Sequence, residues 1–360
     1  HMDKCNYLER LKALALDAKD SLIITILCNV ADETVDYENY TEDSITSEFL
    51  TAEQLNTMVA ALRSAGFETN IYIDENQFIH DVLCNRFYRV AGKQNVVFNS
   101  AQKGTSIGRK SLIPAFCDLQ HICHNNSNAY VVSLCRDKFL SGKLLECFGF
   151  PCPDSWCYRY NAGWLLDQRP EEGRKIIAKL NYETSSIGLC TDNVFNYTPD
   201  AEEFVHNLSK VYRQDIIVQA FISGYEVEVP VVIDKQRFAI APMGVFYHNQ
   251  EPLGSDILDY SGRKEHKYHF IDFYQVSASV ARQLEKCAVD AAVSLGIQGI
   301  GRIDFRVADI NGPFYITDIA TNPGLHQSTS IYQCFENLGY TYQDMMTILL
   351  GLVISRYELT

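Results

Sequence analysis

Nowhere in its 360 residues does the chain carry an apolar run approaching the ~20 residues that a bilayer-spanning helix needs. The greasiest stretches, residues 23–26 and 348–354, are core-sized, so no membrane partner is expected. Positive charge is also scarce: 31 Lys and Arg against 45 Asp and Glu leave a net charge of −14. Nucleic-acid binders need a Lys/Arg surface, so no nucleic-acid partner is expected. Twelve cysteines are present without a single Cys-x-x-Cys pair. His121-x-Cys123-His124 falls short of the four ligands of a zinc site, and the cysteines read as small hydrophobes. No secretory leader is evident, and His1-Met2 reads as a cloning scar, so a reducing, cytoplasmic setting is expected. The first third lacks a Gly-x-Gly-x-x-Gly turn, which argues against a dinucleotide there. Internal repeats and low-complexity tracts are absent too.

What is present belongs to a folded chain: 47% hydrophobic and 12% aromatic residues exclude disorder. At ~150 residues per domain the length allows two to three domains. Residues 21–30 form an apolar β-rich run, the pattern of a strand buried on both faces. Thr51 can cap a helix to Ser64 that Gly66 stops. Strands at 69–74 and 95–99 and helices at 112–119 and 137–148 continue a βαβ alternation, which predicts a parallel sheet. Residues 32–48 hold seven Asp and Glu and no Lys or Arg, and read as a solvated acidic insertion rather than a mobile lid. Breaks at Pro151–Pro153 and Ser223-Gly224 separate this part from two further β-rich segments. In the last of them a long polar loop, 248–267, has the length of a functional one.

The sharpest inference concerns a hairpin at 301–321 turning at Asp309-Ile-Asn-Gly312. Counting back from the turn sets Asp304 opposite Thr317 or Ile319, beside Asp318 in either case. A period of two puts Arg302, Asp304 and Arg306 on one face, and Ile316, Asp318, Ala320 and Asn322 share a parity. Two adjacent carboxylates need something positive between them. That is either Mg2+, which takes one or two carboxylates and completes its shell with phosphates, or an Arg302–Asp304–Asp318 salt-bridge network. Lys179, at a strand end before a Thr-Ser-Ser-x-Gly loop, has the makings of a phosphate clamp.

Taken together, the motifs resemble the ATP-grasp superfamily, and within it the D-alanine–D-alanine ligase-like carboxylate–amine ligases. The resemblance runs from about residue 21 to 350. It is carried by Gly299-x-x-Arg302-x-Asp304-Phe305 followed by Asp318-x-x-x-Asn322-Pro323-Gly324-Leu325. Lys179-x-x-x-Glu183-Thr184-Ser185-Ser186-Ile187-Gly188, Gln219-Ala-Phe-Ile222 with Ser223-Gly224-x-Glu226, and Ser133-x-x-x-Asp137-Lys138 add to it. Phe98-Asn99 with Ile113-Pro114-Ala115 resembles the N-terminal domain of the branch.

The resemblance implies an α/β (α+β) ATP-grasp fold of three domains: 1–130 a βαβ domain, 131–224 a central domain and 225–360 a C-terminal domain. It implies ATP and Mg2+ as cofactors, small-molecule carboxylate and amine substrates, and a homodimer. Residue by residue, Lys138, Lys179, Ser186 and Lys264 would meet ATP phosphates, with Lys267 an alternative to Lys264. Gln219, Ala220 and Ile222 would border adenine, and Glu226 the ribose. Asp304, Asp318 and Asn322 would hold Mg2+. Arg302 and the Gly324 N–H would stabilise an oxyanion, Ser185 would seat substrate, and Tyr260 is a candidate proton acceptor. Glu48 resembles the acidic residue placed near a substrate ammonium, Arg109 could greet a carboxylate, and His326 could line the acceptor site.

The implied reaction activates a carboxylate as an acyl phosphate, which an amine then attacks. There are departures from the family pattern. Asp318 stands for Glu, Ala320 for an Asn ligand, and residues 99–110 replace a His-Gly-x-x-Gly-Glu segment. The first two bear on a second metal position, and the altered pocket at 99–110 points to a dipeptide or specialised-metabolite ligase rather than the housekeeping cell-wall enzyme. Two alternatives stay open at this point: a relative that has lost catalysis at Ala320 and only binds nucleotide, and a phosphate-transferring kinase.

Overall fold

The computed structural model describes residues 4–359, the Lys264 side chain excepted. Leu22–Leu27, apolar throughout apart from Thr25, is buried at every position and forms the middle of a four-stranded parallel sheet. Glu68–Tyr72 and Gln94–Asn99 flank it, and Cys123–His124 closes the far edge. The helix Ala52–Ser64 starts at a complete capping box, with Thr51 accepting from the Gln54 N–H and the Gln54 side chain from Thr51. Its Leu55, Met58, Val59 and Leu62 face the core, and Gly66 turns the chain at φ +97°.

The other two sheets are antiparallel. In the second, Ile216–Ala220 lies between Ser155–Arg159 and Lys175–Leu180, with Gly163–Trp164 and Val194–Asn196 at the edges. In the third, Tyr225–Ile233 pairs along its length with Gly299–Val307, which pairs in turn with Phe314–Ala320. Met243–Tyr247 and Tyr268–Asp272 extend that sheet on its other side, and Arg237–Ala239 folds back on Tyr225–Ile233. The helix Ala278–Leu295, capped by Ser277 and ended by Gly296 at φ +80°, packs on this sheet through Val280, Leu284, Ala288 and Ala291. A parallel N-terminal sheet with two antiparallel ones is the α/β (α+β) ATP-grasp arrangement expected from the sequence. Among the described residues, no helix is long and apolar enough to cross a membrane.

The two ends of the chain meet. Lys4–Ala18 packs on Tyr342–Tyr357, and both share one apolar core with the first sheet and with Ile300 and Met243 of the third. Gly351 makes the helix contact close: a Cβ there would stand 2.1 Å from the Leu11 carbonyl oxygen.

Two expectations are corrected. The acidic run 32–48 keeps Asp32, Glu33, Asp36, Glu38 and Glu42 exposed, but it is anchored rather than a free insertion. Ile45 is fully buried in the core of the second sheet beside Phe49. Asp43 accepts from the Gly188 N–H at 2.5 Å and the Tyr212 hydroxyl at 2.9 Å. The run is a strap tying the first sheet's loops to the second, because its aromatic and apolar residues outweigh the charges that face outward. The hairpin register also differs. Phe305 faces Ile316 as counting from the turn predicts, but an irregularity after Asp304 advances the return strand by one residue. Asp304 therefore lies directly opposite Asp318, and Arg302 opposite Ala320.

Candidate active site

A cavity of about 310 Å3 opens where the three sheets meet. Gln219 to Ile222, where the chain passes from the second sheet to the third, form one wall with Glu226. Lys138, Lys179, Arg302, Asp304, Asp318 and Asn322 line the middle, and Pro323 to His326 form a lip. Glu48, Lys110, Arg136 and Glu183 to Ser186 complete the lining from the first and second sheets.

Local structure fixes the cations. Lys138 opens a helix capped by Asp137, whose carboxylate accepts from the Leu140 N–H at 2.9 Å. The Asn181 side chain grips that turn, donating to Asp137 at 2.9 Å and accepting from the Phe139 N–H at 2.9 Å. Lys138 thereby reaches Asp318 at 2.5 Å. Lys179 sits in Lys175–Leu180, where Ala178 and Leu180 turn inward to the core and Lys179 turns to the cavity. Burial first, and then Lys138, push its ammonium down to about 8. Burial alone would raise the Asp318 carboxyl; Lys138 and Lys179 override it and hold it below the usual carboxylate range.

Arg302 chelates Asp304 through Nε and Nη2 at 2.7 and 2.8 Å, and its Nη1 meets Glu228 at 3.1 Å. Burial pushes the Asp304 carboxyl up; Arg302 opposes this and Glu228 adds to it. Among the described residues, no three His, Cys, Asp or Glu converge as a metal-binding group. The donor set is thus two facing carboxylates, with the Asn322 amide on the same wall. It fits a hard cation that keeps waters or phosphate oxygens, such as Mg2+, better than a closed protein cage.

The structure brings most of the sequence-derived candidates to this cavity: Lys138, Lys179, Ser185, Ser186, Gln219, Ala220, Ile222, Glu226, Arg302, Asp304, Asp318, Asn322, Gly324, His326 and Glu48 all line it. Ser185 and Ser186 both adopt left-handed backbone, at φ 54° and 57°. This costs ~1–2 kcal/mol per non-glycine residue and turns the loop sharply at the cavity wall. The Ser186 hydroxyl donates to the Leu258 carbonyl at 2.6 Å and accepts from Arg263 at 2.8 Å.

Other candidates lie elsewhere. Tyr260 does not face the cavity: it packs against the second sheet's apolar core, and its N–H donates to the Leu189 carbonyl at 3.2 Å. The loop 248–267 contains a helix, Tyr260–Lys264, capped by Asp259, and its orientation presents Arg263 to the cavity instead. Lys267 is exposed and paired with Glu265, while the Lys264 side chain lies outside the described residues. Arg109 is not on the wall either. It is buried behind it, bound to Glu183 at 2.8 Å and Glu48 at 3.4 Å.

Arg136, Arg263 and Arg306 at the wall, and Glu228 behind Arg302, were not singled out from the sequence. For Arg306 the signal was there, since it shares a strand parity with Arg302 and Asp304. Glu228 shares its parity with Glu226 on a strand whose other face is apolar.

Three sheets, one parallel and two antiparallel, thus surround a cavity of paired lysines and facing carboxylates. A family profile described as "D-ala D-ala ligase C-terminus" matches residues 171–351. The chain belongs to the D-Ala–D-Ala ligase family, ATP-dependent enzymes that form C–N bonds. It is 24% identical over 298 residues to a D-alanine–D-alanine ligase of Ralstonia nicotianae, covering 81% of this chain and 82% of that one. It is 26% identical over 293 residues to one of Thermotoga petrophila, covering 81% and 88%. Its fold is similar to that of the Bacillus anthracis D-alanine–D-alanine ligase solved with ATP, at a TM-score of 0.67 and 16% identity over 94% of this chain and all of the other. The chain is an ATP-dependent carboxylate–amine ligase of the D-Ala–D-Ala ligase type.

Proposed function

We propose that the protein joins an amino-acid-like carboxylate to an amine through an acyl phosphate, as a dipeptide or specialised-metabolite ligase rather than the housekeeping cell-wall enzyme. The observation that carries this reading is the convergence of Lys138, Lys179 and Arg302 with the facing Asp304 and Asp318 in one cavity. The adenine of ATP rests against the Gln219–Ile222 backbone, with Glu226 accepting from the ribose hydroxyls. Lys138, Lys179 and Ser186 meet the phosphates. Asp304, Asp318 and Asn322 would hold Mg2+, which neutralises phosphate charge when bound. A cytoplasmic homodimer of three domains, bounded near residues 130 and 224, belongs to the same reading.

The substrate carboxylate attacks the γ-phosphorus, giving acyl phosphate and ADP. A neutral amine then attacks the acyl carbon, and the tetrahedral oxyanion expels phosphate, which takes up the proton that the nitrogen loses. Arg302 and the Gly324 N–H stabilise that oxyanion, the largest single contribution to such chemistry. Ser185 seats the substrate. His326, pushed down to about 4 mainly by burial, lines the acceptor end as a neutral hydrogen-bonding group. A kinase would have no use for an oxyanion site at Pro323-Gly324, and a binding-only relative would have no need of Lys138, Lys179, Arg302 and Asp304 together.

The altered loop at residues 99–110 supports a substrate other than the D-alanine of the relatives. The test is ADP release over pairs of carboxylates and amines with mass spectrometry of the products, followed by 18O labelling of the active carboxylate. One label is expected in inorganic phosphate. Label retained entirely in the product would rule out the acyl phosphate.

A further inference from the structure

Where the first sheet's loops meet the second's, five ionised side chains are packed together. Glu48 and Glu183 are 1% and 2% exposed, and Arg109, Arg136 and Lys110 are 3%, 4% and 17% exposed. Three cations therefore stand against two carboxylates, and buried charge without a counterion is costly.

The carboxylates are already occupied. Glu183 receives Arg109 through Nη1 at 3.1 Å and Nη2 at 2.8 Å, the Arg136 Nη2 at 3.2 Å, and the Tyr40 hydroxyl at 2.5 Å. Glu48 receives the Thr184 hydroxyl and the Arg109 Nη2, with Lys110 at 3.6 Å. Neither is left free to recognise an ammonium.

The under-used groups are the two cations that line the cavity. Lys110 has a hydroxyl, Thr184 Oγ1, at 3.1 Å as its nearest partner. Arg136 reaches the same hydroxyl only at 3.5 Å, and its buried Nε has no partner at all. Burial, and then Arg136, push the Lys110 ammonium down to about 7 although Glu48 stands at 3.6 Å.

We infer that Lys110 and Arg136 form an anion subsite, so that the substrate carries a second carboxylate remote from the one that is activated. Resting on the ligase reading above, this names the substrate class as a diacid, such as an acidic amino acid or a short acid-ended chain. An arginine fork and a lysine that both reach the Thr184 hydroxyl suit a carboxylate. A neutral isostere would leave the buried Arg136 Nε without a partner and the excess positive charge uncompensated, which is the basis of selection against it.

Calorimetry on the intact chain with ADP present, using succinate, glutarate and adipate beside their monoamides, tests this directly. One diacid is expected to bind ~10²-fold more tightly than its monoamide, the worth of a charged hydrogen-bonded pair. Lys110→Gln and Arg136→Gln should each cut that ratio below ~10-fold. Lys110→Gln leaves the Arg109–Glu183 pair intact, so it remains informative if Arg136→Gln fails to fold. Equal binding of every acid and its monoamide, no binding of any diacid, or an unchanged ratio in Lys110→Gln overturns the subsite. ADP release separates the two readings. Turnover driven by D-alanine with the diacids inert would remove the subsite and keep the ligase. Selective diacid binding with no turnover for any carboxylate would keep the subsite and remove the ligase assignment.

Discussion

Asp304→Asn is expected to lower ATP turnover by ~10²–10³-fold, the scale seen when one preorganised charge is removed from a reaction centre. The substitution keeps the shape of the side chain and removes only its charge. Because burial already pushes the Asp304 carboxyl up, losing that charge should cost the fold little, and Glu228 remains as a counter-charge for Arg302. An activity loss at an unchanged melting temperature would therefore report on the site. Ala320→Asn is the companion. It stands opposite Arg302, on the parity of Asp318 and Asn322, so a side-chain amide there adds an oxygen beside the two carboxylates. It should be tolerated and should lower the magnesium concentration for half-maximal turnover. A magnesium titration of the parent and both variants decides the matter. If Asp304→Asn titrates like the parent, Arg302, Asp304 and Asp318 form a salt-bridge network, and the metal assignment is lost.

Much of this centre could be read from the sequence because strand parity and capping are local rules. Thr51 accepts a backbone N–H at the start of the helix expected from it, and Asp137 does so at the start of the helix read over 137–148. Parity alone put Arg302, Asp304 and Arg306 on one face, and all three line the cavity. What local rules could not supply was the shift at Asp304/Phe305, because no glycine or proline in 314–320 announces it. The acidic strap was misread because its charges were weighed and its Tyr37, Tyr40 and Ile45 were not; these three pack into a core belonging to another sheet. Arg109 and Tyr260 fail for the same reason. Each lies on a segment near the cavity, but long-range partners, Glu183 for one and the second sheet's core for the other, decide which way the side chain turns.

Gly351→Ala should be strongly destabilising, although helix propensity argues the opposite. In an exposed helix interior, alanine is favoured over glycine by ~1 kcal/mol. Gly351, however, is buried in the helix Tyr342–Tyr357, against the backbone of Lys4–Ala18. An added Cβ would lie 2.1 Å from the Leu11 carbonyl oxygen and 2.6 Å from its carbon. Backbone cannot swing aside as a flexible side chain can, so the two helices must separate. Separation opens the apolar core that Leu8, Leu11 and Ala15 share with Met345, Leu349 and Leu352. Overpacking of this kind costs ~3 kcal/mol or more. Gly142, inside the helix Lys138–Cys147, supplies the control, because nothing lies within 4 Å of its absent Cβ. Gly142→Ala should be neutral or stabilising by up to ~1 kcal/mol. Urea unfolding of the two variants beside the parent should therefore move the midpoint in opposite directions, or leave Gly142→Ala with the parent while Gly351→Ala falls well below it. A Gly351→Ala protein that unfolds with the parent would mean that the first and last helices do not pack backbone to backbone. The single core joining the two ends of the chain would then have to be abandoned.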